Sequence, residues 1–479
     1  MKKYPHLDKL ISSPSQFKFP FFAYRWFVVL LFSLVLVFVV WLLQVNFVIV
    51  LFLLCLLWYF SFLQRTISSE VKLLHVLFLF ILVVVPSYFI LSKGLAIYFI
   101  PFSFASMLAT LLFSDRILSF ILTTATAFVV SHFSPNGQTT EALFLVSGLV
   151  SAILVYDARR RNTIINAGIF IGILQAITYL LASNSIYRFN PELVSVVLGL
   201  LINGFVSAII VLGCLSIFEH LFKTVTNIHL LELADFNNPV LNRLMLEAPG
   251  TYHHSLVVGN LSEAAAKAVG ANALLARIGA YYHDIGKLTK PEYFNENMGL
   301  TQNIHDTLAP NMSRLVIMNH VNEGVELAKR HKLNPRLIDF IQQHHGKSLV
   351  YYFYRRAIEN GHQIEEISEE GFRYPGPKPS SKETAIVLLA DSVEAASRAL
   401  KNPTPAQLEE TVHKIINNKF IDGQLDECPL TLKDLEIIAT VFSHILSGMY
   451  HHRLDYPEEK SDNHHTKPTG TNLRSKDKG

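Results

Sequence analysis

Apolar positions fill the first 218 residues in long runs separated by short polar turns. From Glu219 onward, apolar and charged positions recur at helical spacing instead. A bilayer core about 30 Å thick is crossed by about 20 helical residues. Membrane spans are therefore expected at 26–43, 47–63, 73–91, 95–113, 117–130, 142–156, 163–181 and 193–218. The fifth and sixth runs are short, but they form a pair, so dropping both leaves the orientation of the others unchanged. The first run is longer than the apolar stretch of a cleaved leader and no small-residue cleavage site follows it, so a retained helix is expected.

In the second half the periodicity predicts helices over 230–234, 241–247, 262–269, 273–280, 321–330, 336–343, 384–400, 405–417 and 432–446. Strand-like alternation is nearly absent. The expected fold class is all-α: a multi-spanning helical membrane bundle followed by an all-helical soluble domain. The expected limits are an amino-terminal tail at 1–25, a membrane domain with about eight helices at 26–218, linker helices at 219–250, the soluble domain at 251–457 and a polar, disordered tail at 458–479.

Composition sharpens this division. The 479-residue chain is 51% hydrophobic and 16% charged, against about 25% charged in an ordinary soluble domain. Almost all of the shortfall lies in the first half. Lysines and arginines in short loops set orientation. The amino-terminal tail carries Lys2, Lys3, Lys9, Lys18 and Arg25, and later segments on the same side carry Arg65, Lys72, Arg116 and Arg159 to Arg161. The opposite side has Lys93 and Arg188. Both termini and the soluble domain are thus expected in the cytosol. Polar residues inside the spans are small or amide-bearing, such as Asn166, Gln175 and Asn203, and no acidic or basic residue marks an ion path. That disfavours a transporter or channel and favours an anchor or signal-receiving bundle. The net charge of +3 gives no reason to expect a nucleic-acid polymer as partner. Cys55, Cys214 and Cys428 lie too far apart for a disulfide framework or a zinc ribbon, which suits a reducing compartment.

Candidate chemistry gathers in the soluble half. His253-His254, His283-Asp284, His320, His344-His345 and Asp391 follow one another there, each in or beside a predicted helix. Imidazole and carboxylate suit iron, manganese or zinc. Asp284 could be shared between two imidazole-rich halves, and a metal pair of that kind activates water against a phosphodiester. A lone histidine is more often a solvated or core side chain, and that reading is taken for His305, His331, His362, His413, His464 and His465. After His283-Asp284 come Ile285, Gly286 and Lys287, where the glycine is expected to end a helix and leave Lys287 free to reach a phosphate.

His283-Asp284-Ile285-Gly286-Lys287 and its flanking His and Asp positions resemble the HD phosphohydrolase superfamily. Residues 247–255 (Glu-Ala-Pro-Gly-Thr-Tyr-His-His-Ser), 342–346 (Gln-Gln-His-His-Gly), 372–379 (Phe-Arg-Tyr-Pro-Gly-Pro-Lys-Pro) and 389–395 (Leu-Ala-Asp-Ser-Val-Glu-Ala) narrow this further. In that order they resemble the seven-transmembrane HD family of bacterial cyclic-di-AMP phosphodiesterases. The resemblance covers nearly all of the soluble half and reaches the membrane bundle in architecture only.

It implies a cytosolic HD domain on a bacterial inner (cytoplasmic) membrane, hydrolysing cyclic di-AMP to linear 5′-pApA with two divalent ions, iron or manganese. His254, His283, Asp284 and Asp391 would hold one ion, and Asp284, His320, His344 and His345 the other. Asp391 would also orient the attacking water, and Lys287 would neutralise the phosphate. Arg373 and Tyr374 would sit in a rigid loop on the substrate side, with His253 in a supporting role. The partners implied are the cyclic dinucleotide and the lipid bilayer, with a homodimer left open. One departure stands out: the family's large external domain after the first span is replaced by Gln44-Val45-Asn46, so loss of that domain is expected. Rival readings are another HD enzyme acting on cyclic di-GMP or a nucleoside triphosphate, a non-catalytic cyclic-dinucleotide receptor, and a transporter with an accessory domain. The Gly-Tyr-Pro signature of the cyclic-di-GMP branch is missing after His345, where Gly346-Lys347-Ser348 stands.

Overall fold

A computed structural model describes residues 70–183, 191–298, 304–359 and 368–450. The spans expected at 26–43 and 47–63, both terminal tails, Arg188, His362, His464 and His465 lie outside the described residues. Within them the membrane half consists of α1 (Glu70–Ser92), α2 (Phe104–Phe113), α3 (Arg116–Phe133), α4 (Gly137–Leu154), α5 (Arg161–Ala182) and α6 (Pro191–Phe222). Leu74–Ser92 of α1 and the whole of α3, α4, α5 and α6 are long and apolar enough to cross a membrane.

Two expectations change here. The run at 95–113 is not one helix: a 3-10 turn at Ile97–Phe99 precedes α2. Pro101 supplies the reason, because proline pushes its predecessor out of the helical region, and Ile100 is extended at φ −78, ψ 122. The helices expected at 117–130 and 142–156 instead reach 18 residues each. Asp115 starts α3 by accepting from the amides of Ile117 and Leu118, which satisfies donors a helix start leaves orphaned.

Without a hydrophobic drive between helices in lipid, close approach at small residues holds them together. Gly168 and Gly172 of α5 face Gly204 of α6. A Cβ on Gly204 would lie 2.3 Å from the Gly172 amide nitrogen and 2.4 Å from the Gly168 carbonyl oxygen. Beside them Asn203 donates to the carbonyls of Tyr98 and Ile100 at 2.8 and 2.9 Å. At 32 residues α6 is about 48 Å long, so it outlasts the bilayer core.

Ten further helices follow among the described residues: α7 (Asn227–Leu233), α8 (Pro239–Glu247), α9 (Pro249–Ala268), α10 (Ala273–Tyr282), α11 (Pro310–Arg330), α12 (Pro335–Gln343), α13 (Tyr351–Glu359), α14 (Lys382–Arg398), α15 (Pro405–Ile421) and α16 (Leu432–Met449). No strand occurs among these residues, and an isolated bridge joins Leu349 to Arg373. The all-α expectation holds. Proline at the first helical position advances α9 and α11 well ahead of the starts expected at 262 and 321. α13 was not anticipated. α14 lies at the centre of this half, with residues 384–391 buried without a break.

The two halves are joined by specific bonds. Glu219, near the end of α6, accepts from the Thr226 amide and hydroxyl at 2.9 and 2.6 Å. Arg161 pairs with Glu232 of α7 at 2.7 Å. The buried Tyr282 hydroxyl donates to the Leu233 carbonyl at 2.7 Å, which fixes the end of α10 immediately before His283.

Candidate metal centre

Five elements bring the expected ligands together: His254 from α9, His283 and Asp284 from the end of α10, His320 from α11, His344-His345 from the end of α12, and Asp391 from α14. Asp284 sits at the middle, and its two carboxylate oxygens face different partners. Oδ2 lies 3.2 Å from His283 Nε2 and 3.6 Å from His254 Nε2. Oδ1 lies 3.3 Å from His320 Nε2 and 3.6 Å from His344 Nε2. Asp391 repeats the division, with Oδ1 at 3.2 Å from His254 Nε2 and Oδ2 at 3.5 Å from His345 Nδ1. His320, His344 and His345 form one tight group, and His254, His283 and Asp391 another.

Each of four imidazoles is fixed through its other nitrogen. His283 Nδ1 donates to the Ala280 carbonyl at 2.6 Å, His320 Nδ1 to Ile317 at 2.5 Å and His344 Nδ1 to Ile341 at 3.0 Å. His254 Nδ1 meets the Glu394 carboxylate at 2.7 Å. A carbonyl cannot donate, so in His283, His320 and His344 the proton stays on Nδ1 and the Nε2 lone pair is left for a metal, the arrangement found around metal-bound histidines. His320 and His344 then direct two lone pairs at each other across 3.2 Å, a repulsion that a cation between them relieves. His283 Nε2 and Asp284 Oδ1 are buried and lack hydrogen-bond partners. Such orphans are costly, and they converge on the same space. The donor set fits a site for two divalent cations.

The electrostatics agree. Burial pushes the Asp284 carboxyl upward, but His283 and Lys287 outweigh it and hold it well below the usual range. Burial, then the neighbouring His283, depresses His344 to about 3, so it is a neutral ligand at pH 7. Burial opposes charge on His254 too, yet hydrogen bonds to Asp391 and Glu394 push its pKa up to about 10.

Above the cluster opens a cavity of about 490 Å³, whose wall includes His254, His320, His345, Asp391, Lys287 and Tyr374. The Tyr374 ring stacks on His345 with centroids 4.3 Å apart. Other sequence expectations change. Lys287 is not free: its Nζ lies 2.8 Å from Asp284 and 2.7 Å from Glu296. Nor does Gly286 end a helix, since α10 stops at Tyr282. A Cβ on Gly286 would sit 1.8 Å from the His320 carbonyl oxygen, so glycine lets the 285–289 turn lie against α11. Arg373 is outside the cavity wall. Its guanidinium is engaged by Glu369 at 2.7 Å, Asp422 at 2.9 Å and the Lys347 carbonyl at 3.0 Å, a structural tie. His253 is exposed and also outside the wall, as expected for the neighbour of an inward-facing helical residue. Glu394, Glu296 and Arg398, which the sequence reading passed over, line the cavity as well.

An all-helical domain whose buried His and Asp side chains fit two divalent cations is thus carried on a bundle of helices long and apolar enough to cross a membrane. A family described as "7TM receptor with intracellular HD hydrolase" matches residues 40–226, and the HD domain family matches residues 251–396. The chain belongs to this seven-transmembrane HD family, and it is a multi-pass membrane protein. It is 40% identical over 369 residues to the cyclic-di-AMP phosphodiesterase PgpH of Bacillus subtilis (strain 168), covering 75% of this chain and 51% of that one. To the protein of the same name in Listeria monocytogenes serotype 1/2a (strain 10403S) it is 37% identical over 399 residues, covering 82% and 54%. The chain thus spans about half the length of these curated relatives. The crystal structure of the L. monocytogenes PgpH HD domain in complex with cyclic di-AMP aligns at 44% identity and a TM-score of 0.44, covering 45% of this chain and all of that one.

Proposed function

We propose that this protein is a membrane-anchored phosphodiesterase that hydrolyses cyclic di-AMP to linear 5′-pApA, lowering the level of that second messenger, with two divalent ions, iron or manganese. The observation that carries the reading is Asp284, buried and central, with its oxygens divided between two imidazole pairs. The relatives named as cyclic-di-AMP phosphodiesterases support the choice of substrate. Bound divalent ions supply an activated water near neutral pH and offset charge on the phosphate oxygens.

The chain's own residues do the rest. His254 and His283 on one side and His320, His344 and His345 on the other fix where the phosphate lies. Lys287 and Glu296 hold Asp284 in place from the cavity side. Asp391 orients the attacking water towards phosphorus, and the 3′-oxygen leaves with a proton. Phe294, Ile317 and Tyr374 wall the cavity with apolar surface. The loop charges support a cytosolic HD domain and both termini on that side, in a bacterial inner membrane.

The test is to give the detergent-solubilised, manganese-loaded chain cyclic di-AMP, cyclic di-GMP and a deoxynucleoside triphosphate in parallel. Chromatography should show pApA from the first alone. Cleavage of another substrate in preference, or of none by a chain carrying two metal equivalents, sinks the substrate assignment.

A further inference from the structure

Beside the cavity over the metal ligands lies a second one of about 380 Å³, lined by Tyr293, Phe294, Asn295, Ile317, Tyr352 and Phe353 among others. The two share Phe294, Asn295, Glu296 and Ile317 as common wall. A molecule with phosphorus at the ligands therefore has its next group beside this aromatic chamber. Its rings are braced against one another: Phe353 meets Tyr352 edge-on with centroids 5.2 Å apart and His305 at 5.3 Å, and Tyr293 meets His305 at 6.0 Å. Phe353 is buried, but Tyr352 leaves 60% of its surface exposed. A large aromatic face kept open to solvent beside a phosphoryl site has a natural occupant in a flat heteroaromatic ring. The chamber's polar side is supplied by the exposed Asn295 and by Glu296, able to meet the donor and acceptor edge of such a ring.

We infer that this chamber seats one nucleobase of the substrate, and that Tyr352 is its stacking face. The inference rests on the cyclic-dinucleotide reading above and extends it to the residues that recognise the base. No ligand of the metal pair belongs to the chamber, so its contribution to binding is separable from that of the cluster.

The experiment measures adenosine binding to the full chain in detergent by ligand-observed NMR, with ribose as control, for wild type and Tyr352→Ala. Tyr352 is exposed, so thermal unfolding of the variant should match wild type. Adenosine should bind and ribose should not, and Tyr352→Ala should weaken adenosine binding by roughly tenfold, the scale of one base stacked on one aromatic ring. In the same preparations, KM for cyclic di-AMP should rise by roughly tenfold while kcat stays within about twofold. Adenosine binding equal in the two proteins, or absent from both, overturns the chamber assignment. Failure of the wild type to cleave cyclic di-AMP sinks the phosphodiesterase reading instead, and the adenosine comparison then still decides for or against a base site.

Discussion

Replacing Glu394 separates the metal ligands from what holds them. Glu394 is 5% exposed, and its carboxylate accepts from His254 Nδ1 at 2.7 Å and pairs with Arg398 at 3.1 Å. A buried hydrogen bond to a charged group contributes about 1.5–3 kcal/mol. Part of that bond restrains the free imidazole, and part raises the basicity of Nε2 towards a metal. Loss of such a partner typically costs 10–100-fold in metal affinity, or about 1.4–2.8 kcal/mol, which matches the first figure. Glu394→Ala should therefore weaken manganese binding to the metal-stripped chain by about 10–100-fold. Glu394→Gln keeps an acceptor but no charge and should lose less, about tenfold or under. Isothermal titration of manganese into both variants and wild type reads this directly, with helical content by circular dichroism as the folding control. Wild-type affinity in a folded Glu394→Ala protein refutes the claim that this carboxylate positions His254.

Other consequences are as direct. Asp284→Ala or His320→Ala should abolish metal loading and turnover together, checked by elemental analysis alongside the cyclic di-AMP assay; full activity in either variant removes the assignment. Gly204→Leu should destabilise the bundle by about 1–3 kcal/mol or more, because its side chain meets α5 backbone rather than a yielding side chain; thermal unfolding in detergent measures it. Metal affinity should rise with pH between about 6.5 and 10. His254 has a raised pKa of about 10 without metal, so its protonated form stabilises the metal-free fold fully below 6.5, and that contribution is lost as pH rises through 10. Metal must displace this proton, so loading should strengthen about tenfold per pH unit across the window. A flat affinity profile over that range contradicts a protonated His254 in the metal-free chain.

Helix existence was readable because amphipathic and all-apolar runs differ in period and composition, and α5, α12 and α16 fall close to their expected places. Breaks and starts were less readable. Pro101 interrupts an apolar run whose hydropathy alone suggests a continuous span, and the prolines at 249 and 310 begin helices whose buried faces include small or polar residues such as Thr251, Ser255, Gly259, Ser313 and His320, so they show no clear apolar stripe. The close approach of α5 and α6 was present in the sequence as Gly168-x-x-x-Gly172 opposite Gly204, but a small-residue spacing does not reveal which helix it meets.

The ligands themselves were legible because metal chemistry restricts residue type: His, Asp and little else serve, and their order along the chain survives any fold that converges them. What surrounds them is drawn from commoner material. Three of the four anchored imidazoles bond to main-chain carbonyls three residues back, at Ala280, Ile317 and Ile341, and every residue type carries a carbonyl. Lys287 looked available because the carboxylate that engages it alongside Asp284 comes from Glu296, nine residues on, placed there by a turn packed against Gly250, where a Cβ would lie 1.8 Å from the Glu296 carbonyl oxygen. Glu394 is the exception that left a trace. Asp391 and Glu394 are three apart on α14, so a helix presents both on one face. A buried acid beside a ligand acid, inside an otherwise apolar run, signals a hydrogen-bonded partner, because an isolated carboxylate there would be too costly to keep charged.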